Sequence, residues 1–429
     1  MDEGIQLAPV QFESGRAVLD LGDLPERLRA VVVGRSRTII AVSVPALLAS
    51  LAVMVLLGRA GLHSGSGIDY QVYRWAVHTW LDGGDIVNSA PTVSIGRVLP
   101  WVYPPFALLP LLPFALLPFS VGLFALYAVD LAALGAALYL VTRHLWPSVG
   151  RQGALAVAMA LLPLTLFLEP VHSSFGLGQV NIALLGLVVL DTLVRHPRWP
   201  RGTLIGIAAA IKLTPAIFVL FFLVRKDFRA MLVAVLTGVG ATLVGFVLDY
   251  RAAFSYWFGT GPAHGVSGSA FHTNQSIAGA LARTDLPSGV QTALWVVGCL
   301  VCAVLVLMAM RRVEPVLAVT ANALLGLLIS PTSWSDHWVW CVPGLLVLLG
   351  CALRLRSPGW LALFVLGVVA AVTATFRDQP AGPPWTAAQH LIGNPYLLFG
   401  LLLVVLLSRF AAREARRRSR RYPPMSAAR

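Results

Sequence analysis

The stretch TIIAVSVPALLASLAVMVLLG, residues 38–58, decides the fold class. It carries no charge, and as a helix it is long enough to cross the roughly 30 Å hydrocarbon core of a bilayer. Arg35 and Arg37 precede it and Arg59 follows it, so charge marks both of its ends. The stretch predicts a membrane-spanning helix. No small-residue cleavage site follows it, so we expect a retained first span rather than a signal peptide.

Similar blocks recur along the whole chain. The sequence is 57% hydrophobic and 12% charged, whereas soluble domains carry about 25% charged residues. The composition excludes a soluble globular protein, and long apolar blocks favour helices over the short alternating strands of a membrane barrel. The blocks lie near 38–58, 103–118, 120–142, 152–169, 178–194, 202–223, 229–248, 291–310, 314–330, 338–353, 359–375 and 395–411. The sequence therefore predicts an all-α polytopic membrane protein with 10–12 transmembrane segments.

Short basic loops assign sides to these blocks. Arginine-rich loops stay on the cytoplasmic side of a membrane. They are Arg143 with Arg151, RHPRWPR (195–201), RKDFR (225–229), Arg311 with Arg312, and Arg354 with Arg356. Both termini follow them to the cytoplasmic side. The long loops 59–102, 249–290 and 376–394 are then expected on the periplasmic side.

Two segments would start and finish on the same side under this assignment. Segment 103–118 contains five prolines, and segment 202–223 carries Lys212 and Pro215 near its middle. Proline breaks helices, and broken helices are tolerated at membrane depth where they line a cavity. We therefore favour ten full spans plus two broken or re-entrant segments, with twelve plain spans as the alternative.

The net charge of +13 does not indicate a nucleic-acid-binding protein. Its arginines cluster before the first apolar block and after the last, where they fit the positive-inside rule and attract anionic lipids. The boundaries predict a cytoplasmic N-terminal segment (1–37), one integral-membrane domain (38–411) and a basic cytoplasmic tail (412–429). All four cysteines lie inside apolar blocks and are interpreted as small core residues.

Asp69 opens a polar stretch just outside the first span. Tyr70, Tyr73, Trp75 and Trp80 follow it, and such aromatic residues prefer the membrane–water interface. At helical spacing Asp69, Tyr73 and Trp80 share one face, so the segment is predicted to be an interfacial helix. Asp69 is either a functional carboxylate at the membrane surface or a helix cap.

Two more polar groups interrupt the apolar blocks. Gln179 and Asn181 open the block that follows Gly178, where they are either functional or ordinary interhelical hydrogen-bonding groups. Lys212 lies in apolar surroundings, and it either extends to the cytoplasmic face or binds a lipid-borne phosphate.

Two outer loops carry further candidates. The loop SAFHTNQSIAGALAR contributes His272, Asn274, Gln275, Ser276 and Arg283, and SPTSWSDHWVW contributes Trp334, Asp336, His337 and Trp338. Aromatic rings beside polar groups suit carbohydrate, although a solvated loop and an interfacial tryptophan belt are the simpler interpretations. All these clusters, with Asp69, fall on the predicted periplasmic side, which favours one active site there.

These motifs, in this order, resemble a known enzyme family. They are D-Y-x-V-Y-R (69–74), G-Q-x-N (178–181), R-G-x-x-I-G-x-A-A-A-I-K-x-T-P (201–215), N-Q-S (274–276) and S-P-x-S-W-S-x-H-W (330–338). The chain is similar, from about 38 to 411, to actinobacterial membrane mannosyltransferases of the C-fold glycosyltransferase superfamily, above all to the PimE type, which extends phosphatidylinositol mannosides. Asp336 departs from the pattern, because a small or basic residue is expected beside the histidine.

The resemblance implies a C-fold helical bundle and inverting transfer of mannose from polyprenyl-phosphate-mannose to a mannosylated glycolipid in the plasma membrane, forming an α-1,2 linkage. By this likeness Asp69 is the general base and His337 lies near the donor phosphate. We expect Arg74, Lys212, Arg283 and His337 at the donor phosphate. We expect sugar contacts from Gln179, Asn181, His272, Asn274, Gln275, Trp334, Asp336 and Trp338. No cofactor or metal is expected, although Asp69 with Asp85 is an alternative divalent-ion pair.

Other functions remain open from the sequence alone. A transporter or flippase of a lipid-linked sugar, a structural partner in envelope synthesis, and a branching enzyme of lipomannan or lipoarabinomannan are the alternatives. A transporter favours charges along a membrane path and internal repeats, whereas the carboxylates here cluster outside the spans. No nucleotide-binding motif is present, so we expect any energy source to come with the substrate.

Overall fold

A computed structural model describes residues 23–59, 67–259 and 267–421. Parts of the predicted terminal segments and of the loops 59–102 and 249–290 lie outside this range, as do the side chains of residues 57–59 and 414–421. The α-helices are α1 (Glu26–Gly34), α2 (Ser36–Arg59), α3 (Ile68–Leu81), α4 (Leu108–Ala115), α5 (Phe119–Leu145), α6 (Gly150–Thr165), α7 (Glu169–Leu177), α8 (Asn181–Leu193), α9 (Thr203–Ile211), α10 (Val219–Arg225), α11 (Phe228–Leu248), α12 (Tyr250–Phe258), α13 (Ile277–Ala282), α14 (Ser288–Met310), α15 (Pro315–Ile329), α16 (Cys341–Leu355), α17 (Pro358–Thr373), α18 (Ala387–Gly393) and α19 (Pro395–Arg421).

The predicted all-α polytopic membrane fold is confirmed. Six helices within the described ranges are long and apolar enough to cross a membrane, or seven if the bent pair α6–α7 counts as one span. Shorter apolar helices, among them α8 and α15, fill several of the other predicted blocks. A helix of 13 residues, such as α8, is only about 20 Å long. By length alone, the number of spanning helices is therefore below the predicted ten to twelve.

The bend between α6 and α7 was not predicted. The block 152–169 was expected to be one straight span, but the helix ends at Thr165 and the chain turns by 74°. Leu168 adopts an extended conformation, and Pro170 lies in the first turn of the next helix, where its missing N–H costs nothing. The bend directs α7 toward the end of the bundle that carries the outer loops.

The break in segment 202–223 is confirmed. Helix α9 stops at Lys212, whose backbone is extended, and a 3₁₀ helix, Thr214–Phe218, leads into α10. Gly202 lies so close to the start of α11 that an added Cβ would fall 2.1 Å from the carbonyl oxygen of Ala230. Since α10 also ends just before α11, both ends of segment 202–223 lie near the start of α11. This is the arrangement of a re-entrant hairpin.

Segment 103–118 behaves in the same way. Near its start, Phe106 contacts Gly245 at the end of α11. Near its finish, Phe114 accepts a 2.7 Å hydrogen bond from the hydroxyl of Tyr70 and touches Gly122 at the start of α5. Both ends of the segment therefore lie near the outer loops, and its short helix α4 packs on α3.

Helix α3 forms as predicted and buries one face. Tyr70, Val72, Tyr73, Ala76 and Val77 on that face join a core shared with α4. Tyr70 and Tyr73 therefore pack in the protein interior. An orientation of α3 along the membrane surface stays a prediction.

The basic loops lie together at one end of the bundle. Arg225 donates to the carbonyl oxygen of Val313 at 2.6 Å, and Arg354 forms a 3.6 Å ion pair with Glu314. The outer loops meet at the opposite end, where Gln275 donates its backbone N–H to Ser333 at 2.8 Å. The grouping that the charge pattern predicts is therefore present in the structure.

The two ends predict opposite labelling by a membrane-impermeant maleimide. Asp82 is exposed at the end of α3 and His196 is exposed between α8 and α9. In a background whose four cysteines are replaced by serine, we expect Asp82→Cys to react in intact cells. His196→Cys should react only after permeabilisation, because arginine-rich loops stay inside. Reaction of both from the same side would contradict the arrangement.

Candidate active site

A cavity of about 1120 Å³ opens among the outer loops. It is lined by helices α3 and α7, by the segment that ends at Pro104, and by the break after α9. The 3₁₀ helices Ser335–Trp340 and Thr375–Asp378 also contribute to the lining. The polar and aromatic residues that line it include Asp69, Tyr73, Tyr103, His172, Gln179, Lys212, His272, Trp334, Asp336, His337 and Arg377. Residues far apart in sequence therefore line one cavity, and its identity as the predicted active site stays a prediction.

Asp69 lies on the α3 wall and is held by Gln179. The Gln179 side-chain N–H donates to Asp69 Oδ2 at 2.6 Å, and Gln179 Oε1 accepts from the hydroxyls of Tyr73 (2.8 Å) and Tyr103 (2.9 Å). Burial, and secondly the charge of Asp336, raise the pKa of Asp69 to about 7. Asp69 is therefore a fixed carboxyl group that exchanges its proton near neutral pH, which suits a general base.

Lys212 lies on the facing wall, at the break after α9. Its ammonium donates to Asn181 Oδ1 at 2.8 Å, contacts His337 Nε2 at 3.1 Å and lies 3.4 Å from the Tyr103 hydroxyl. These partners keep Lys212 at the cavity and away from the basic loops. An ammonium beside an imidazole offers a site for an anion.

Asp336 lies beside this pair. Its Oδ2 accepts a 2.8 Å hydrogen bond from Asn181 and lies 3.9 Å from His337 Nε2. Asn181 thus joins Lys212 to Asp336 with its two amide atoms. The carboxylate, which departs from the family pattern, therefore offsets part of the lysine charge.

Glycines allow the α3 and α7 walls to meet. Gly178 has a φ of +70°, and an added Cβ there would lie 2.7 Å from Cβ of Tyr70. Gly67, at φ +66°, donates its N–H to the Gly176 carbonyl at 2.8 Å. A side chain at 178 would separate Asp69 from Gln179, so the glycines of FGLGQVN have a packing role.

Six of the predicted site residues lie outside the cavity lining, and one of them, Asn181, lies behind it between Lys212 and Asp336. Arg74 donates to the carbonyl oxygens of Ala115 (2.6 Å) and Leu117, which tie α3 to α4. Arg283 is fully buried, bonds to Asn394 at 2.6 Å and lies 4.4 Å above the ring of Trp385.

The remaining three lie in the same supporting layer. Asn274 and Gln275 are buried and hydrogen-bond to backbone groups. Trp338 packs on Tyr396 with ring centroids 5.5 Å apart. The structure therefore gives all six residues contacts within the protein, and their predicted donor and sugar contacts stay predictions.

Other site residues were missed. Tyr103 bridges the Asp69 and Lys212 walls, and Arg377 lines the cavity in an ion pair with Glu169. Glu169 is a charged residue at the end of an apolar block. Burying such a charge is costly, and this cost was the sequence signal that could have identified Glu169 as a candidate. Nothing in the local sequence distinguishes Tyr103 or Arg377 from ordinary loop residues.

Asp85, the second carboxylate of the alternative metal pair, lies outside the cavity lining. It accepts backbone hydrogen bonds from Val87 (2.8 Å) and Asn88 (2.9 Å) in an exposed turn. Within the described ranges, no group of three His, Cys, Asp or Glu side chains is placed to hold a metal ion.

The chain is similar to known proteins over most of its length. Residues 101–331 match glycosyltransferase family 87. A protein of Mycobacterium tuberculosis named polyprenol-phosphate-mannose-dependent alpha-(1-2)-phosphatidylinositol mannoside mannosyltransferase is 37% identical, over 84% of this chain and 88% of its own. A protein of the same name from Mycolicibacterium smegmatis is 36% identical, over 82% and 85%.

A third relative differs in its printed acceptor. A protein of Mycolicibacterium smegmatis, named as the corresponding phosphatidylinositol pentamannoside mannosyltransferase, is 35% identical over 63% of this chain and 67% of its own. No solved structure matches the chain.

Proposed function

The chain belongs to glycosyltransferase family 87 and is a membrane glycosyltransferase, and we propose that it transfers mannose from polyprenyl-phosphate-mannose to a mannosylated phosphatidylinositol acceptor. The names of the relatives support this donor, this acceptor class and an α-1,2 linkage. The observation that carries the mechanism is the cavity in which Asp69 faces the Lys212–His337 pair. Family membership favours an enzyme over the transporter alternative.

One inverting displacement accounts for these groups. The acceptor hydroxyl oxygen attacks C1 of the donor mannose, and the bond from C1 to the phosphate oxygen breaks. Asp69 takes the hydroxyl proton, and polyprenyl phosphate leaves with the bonding electron pair. The mannosyl group, β-linked to phosphate in the donor, thereby becomes α-linked to the acceptor. The chemistry requires no second carboxylate as a nucleophile.

Lys212 and His337 are the groups we assign to the leaving phosphate. In the described contacts the Lys212 ammonium points to three protein acceptors, of which His337 Nε2 is one. A phosphate oxygen that replaces His337 on Lys212 gains a charged hydrogen bond, and it leaves the imidazole, in its Nε2–H tautomer, free to donate to another phosphate oxygen. The cavity wall beside Lys212 continues with Leu213, Ile217 and Ile329, which suit the isoprenoid chain of the donor.

The membrane side follows from the two ends of the bundle. Arginine-rich loops favour the cytoplasm, so we assign the basic end to the cytoplasm and the cavity to the periplasmic side of the plasma membrane. The acceptor is assigned as a phosphatidylinositol mannoside in general, because the relatives with that name match more of the chain than the pentamannoside relative does.

Asp69→Asn should abolish most transfer while preserving the fold. Asparagine keeps the shape and accepts the Gln179 hydrogen bond, but it does not take a proton at neutral pH. Loss of a general base costs about 10²- to 10⁴-fold in rate. Mannose transfer by purified protein, with a short-chain donor analogue, measures the effect. Asp82→Asn, which changes an exposed carboxyl group directly after the same helix, is the matched control and should retain full activity. Near wild-type transfer by Asp69→Asn would remove it from the mechanism.

The pH dependence of kcat/KM should follow the ionisation of the Asp69 carboxyl group. Only the ionised form accepts a proton, and its pKa is about 7, so kcat/KM should fall toward about tenfold per pH unit below that value. The Gln179 hydrogen bond stabilises the ionised form and lowers this pKa. Gln179→Leu should therefore move the acid limb to higher pH, and an unmoved or lower limb would contradict the assignment.

Lys212→Ala should weaken the use of the donor. We expect a raised KM for the donor and residual turnover at saturating donor, because the lysine binds the phosphate and does not take the acceptor proton. Lys226, the only other lysine, is exposed at the basic end, and Lys226→Ala should match the wild type. An unchanged donor KM, or complete loss of turnover in a folded Lys212→Ala protein, would show that the assigned role is wrong.

A further inference from the structure

Glu169 and Arg377 form an ion pair at the cavity wall. Glu169 Oε1 lies 2.6 Å from Arg377 Nη2, and the side chains are 7% and 44% exposed respectively. Glu169 begins α7 at the bend after α6, whereas Arg377 belongs to the outer 3₁₀ helix Thr375–Asp378. A buried carboxylate therefore holds an accessible guanidinium at the site.

Glu169 is fully engaged by the protein. Its Oε1 accepts from Ser173 (2.7 Å), Ser335 (2.9 Å) and Arg377, and its Oε2 accepts from the Tyr396 hydroxyl at 2.8 Å. Four donors from four parts of the chain fix the carboxylate and compensate the cost of its burial. Glu169 is therefore an anchor for Arg377 rather than a base.

Arg377 keeps hydrogen-bonding capacity for a ligand. A guanidinium has five N–H donors in a fixed plane. In the described ranges its polar contacts run through Nη2, to Glu169 and to Ser173 at 2.6 Å. Arg377 lines the cavity, so its other donors are available there in an orientation set by the anchored nitrogen.

Arg377 is connected through α7 to the side of the cavity that carries Asp69. Ser173, one of its two anchors, lies one turn before Gly176 on α7, and Gly176 accepts the backbone N–H of Gly67 beside Asp69. Lys212 reaches the cavity from α9 instead. Arg377 therefore shares a wall with Asp69, where the acceptor hydroxyl has to lie in the proposed reaction.

Charge and shape indicate the kind of ligand. The charges of Arg377 and Glu169 cancel, so the pair attracts a second phosphate only weakly but still presents strong donors. Trp334 and His272 line the same cavity, and an indole face packs well on the C–H face of a sugar. We infer that Arg377, positioned by Glu169, forms a subsite for hydroxyl oxygens of the acceptor glycan. This inference rests on the proposed function, because it assigns the acceptor side of that reaction.

Direct binding of a synthetic acceptor tests this subsite without turnover. The probe is an octyl dimannoside, titrated calorimetrically into purified protein in detergent with no donor present. Arg377→Gln should raise its Kd about tenfold or more, since it removes charge-assisted hydrogen bonds. Arg377→Lys should raise it less. Arg251→Gln alters an exposed arginine on α12 outside the cavity lining, and should stay within about twofold of the wild type. The Kd of a short-chain donor analogue should not change in any of these variants.

Glu169→Gln separates positioning from packing. The amide oxygen keeps an acceptor for the serine hydroxyls and the amide N–H can donate to the Tyr396 hydroxyl, but the charge that orients the guanidinium is lost. We expect a higher KM for the acceptor with kcat at saturating acceptor nearly unchanged, whereas a general packing defect lowers kcat and weakens donor binding as well. This variant also tests the inference if Arg377→Gln does not fold.

The outcomes separate the subsite from the proposed function. An acceptor Kd that Arg377→Gln leaves within twofold, a selective loss of donor binding, or no binding of the probe by the wild type would each overturn the subsite. Arg377-dependent binding of the dimannoside by a wild-type protein that transfers no mannose would support the subsite and overturn the proposed function.

Discussion

The structure depends on one constraint, which is that a charged group at membrane depth needs partners inside the protein. Lys212 shows how far this constraint reaches. Its ammonium lies within hydrogen-bonding distance of Tyr103, Asn181 and His337, which belong to three separate parts of the chain. The broken hairpin that carries Lys212, the start of α8 and the loop before α16 are thereby fixed relative to one another. Asn181 extends the network to Asp336 and Tyr103 extends it to Gln179, so Asp69 is positioned by the partners that the lysine requires.

The sequence predicts this architecture wherever the signal is local. Apolar blocks and proline positions indicate the helices and the break at Lys212, and the charge pattern indicates which loops share an end. Residue type also identifies Asp69, Gln179, Asn181, Lys212 and His337 as candidates, because polar groups that border apolar blocks are costly unless they have partners. The direction of a side chain is not local in this sense. Arg74 has the composition of a phosphate ligand, yet its guanidinium ties α3 to α4, a contact that exists only after the segments have packed.

The bend at Glu169 is a second feature that the local sequence does not determine. Pro170 and the charge of Glu169 are visible in the sequence, but a straight span with a charge at its end has the same pattern. The bend becomes necessary because Ser335, Arg377 and Tyr396 converge on the carboxylate from elements far along the chain. Once α7 is turned toward the cavity, Gln179 follows directly after it and reaches Asp69. The geometry of Asp69 therefore depends on the bend at Glu169, which the hydrogen bonds from Ser335 and Tyr396 hold in place beside the ion pair.

The charges around the cavity fit a reaction that moves one negative charge from one wall to the other. With Asp69 ionised, the carboxylates Asp69, Asp336 and Glu169 balance the cations Arg97, Lys212 and Arg377. In the proposed transfer Asp69 becomes neutral as it takes the acceptor proton, while the departing phosphate gains a negative charge beside Lys212 and His337. The net charge of the site with its substrates stays constant, so the low-dielectric surroundings need not accommodate a new charge. The charge moves toward the ammonium, and this direction favours departure of the phosphate. The raised pKa of Asp69 and the position of Lys212 are thus two parts of one electrostatic arrangement.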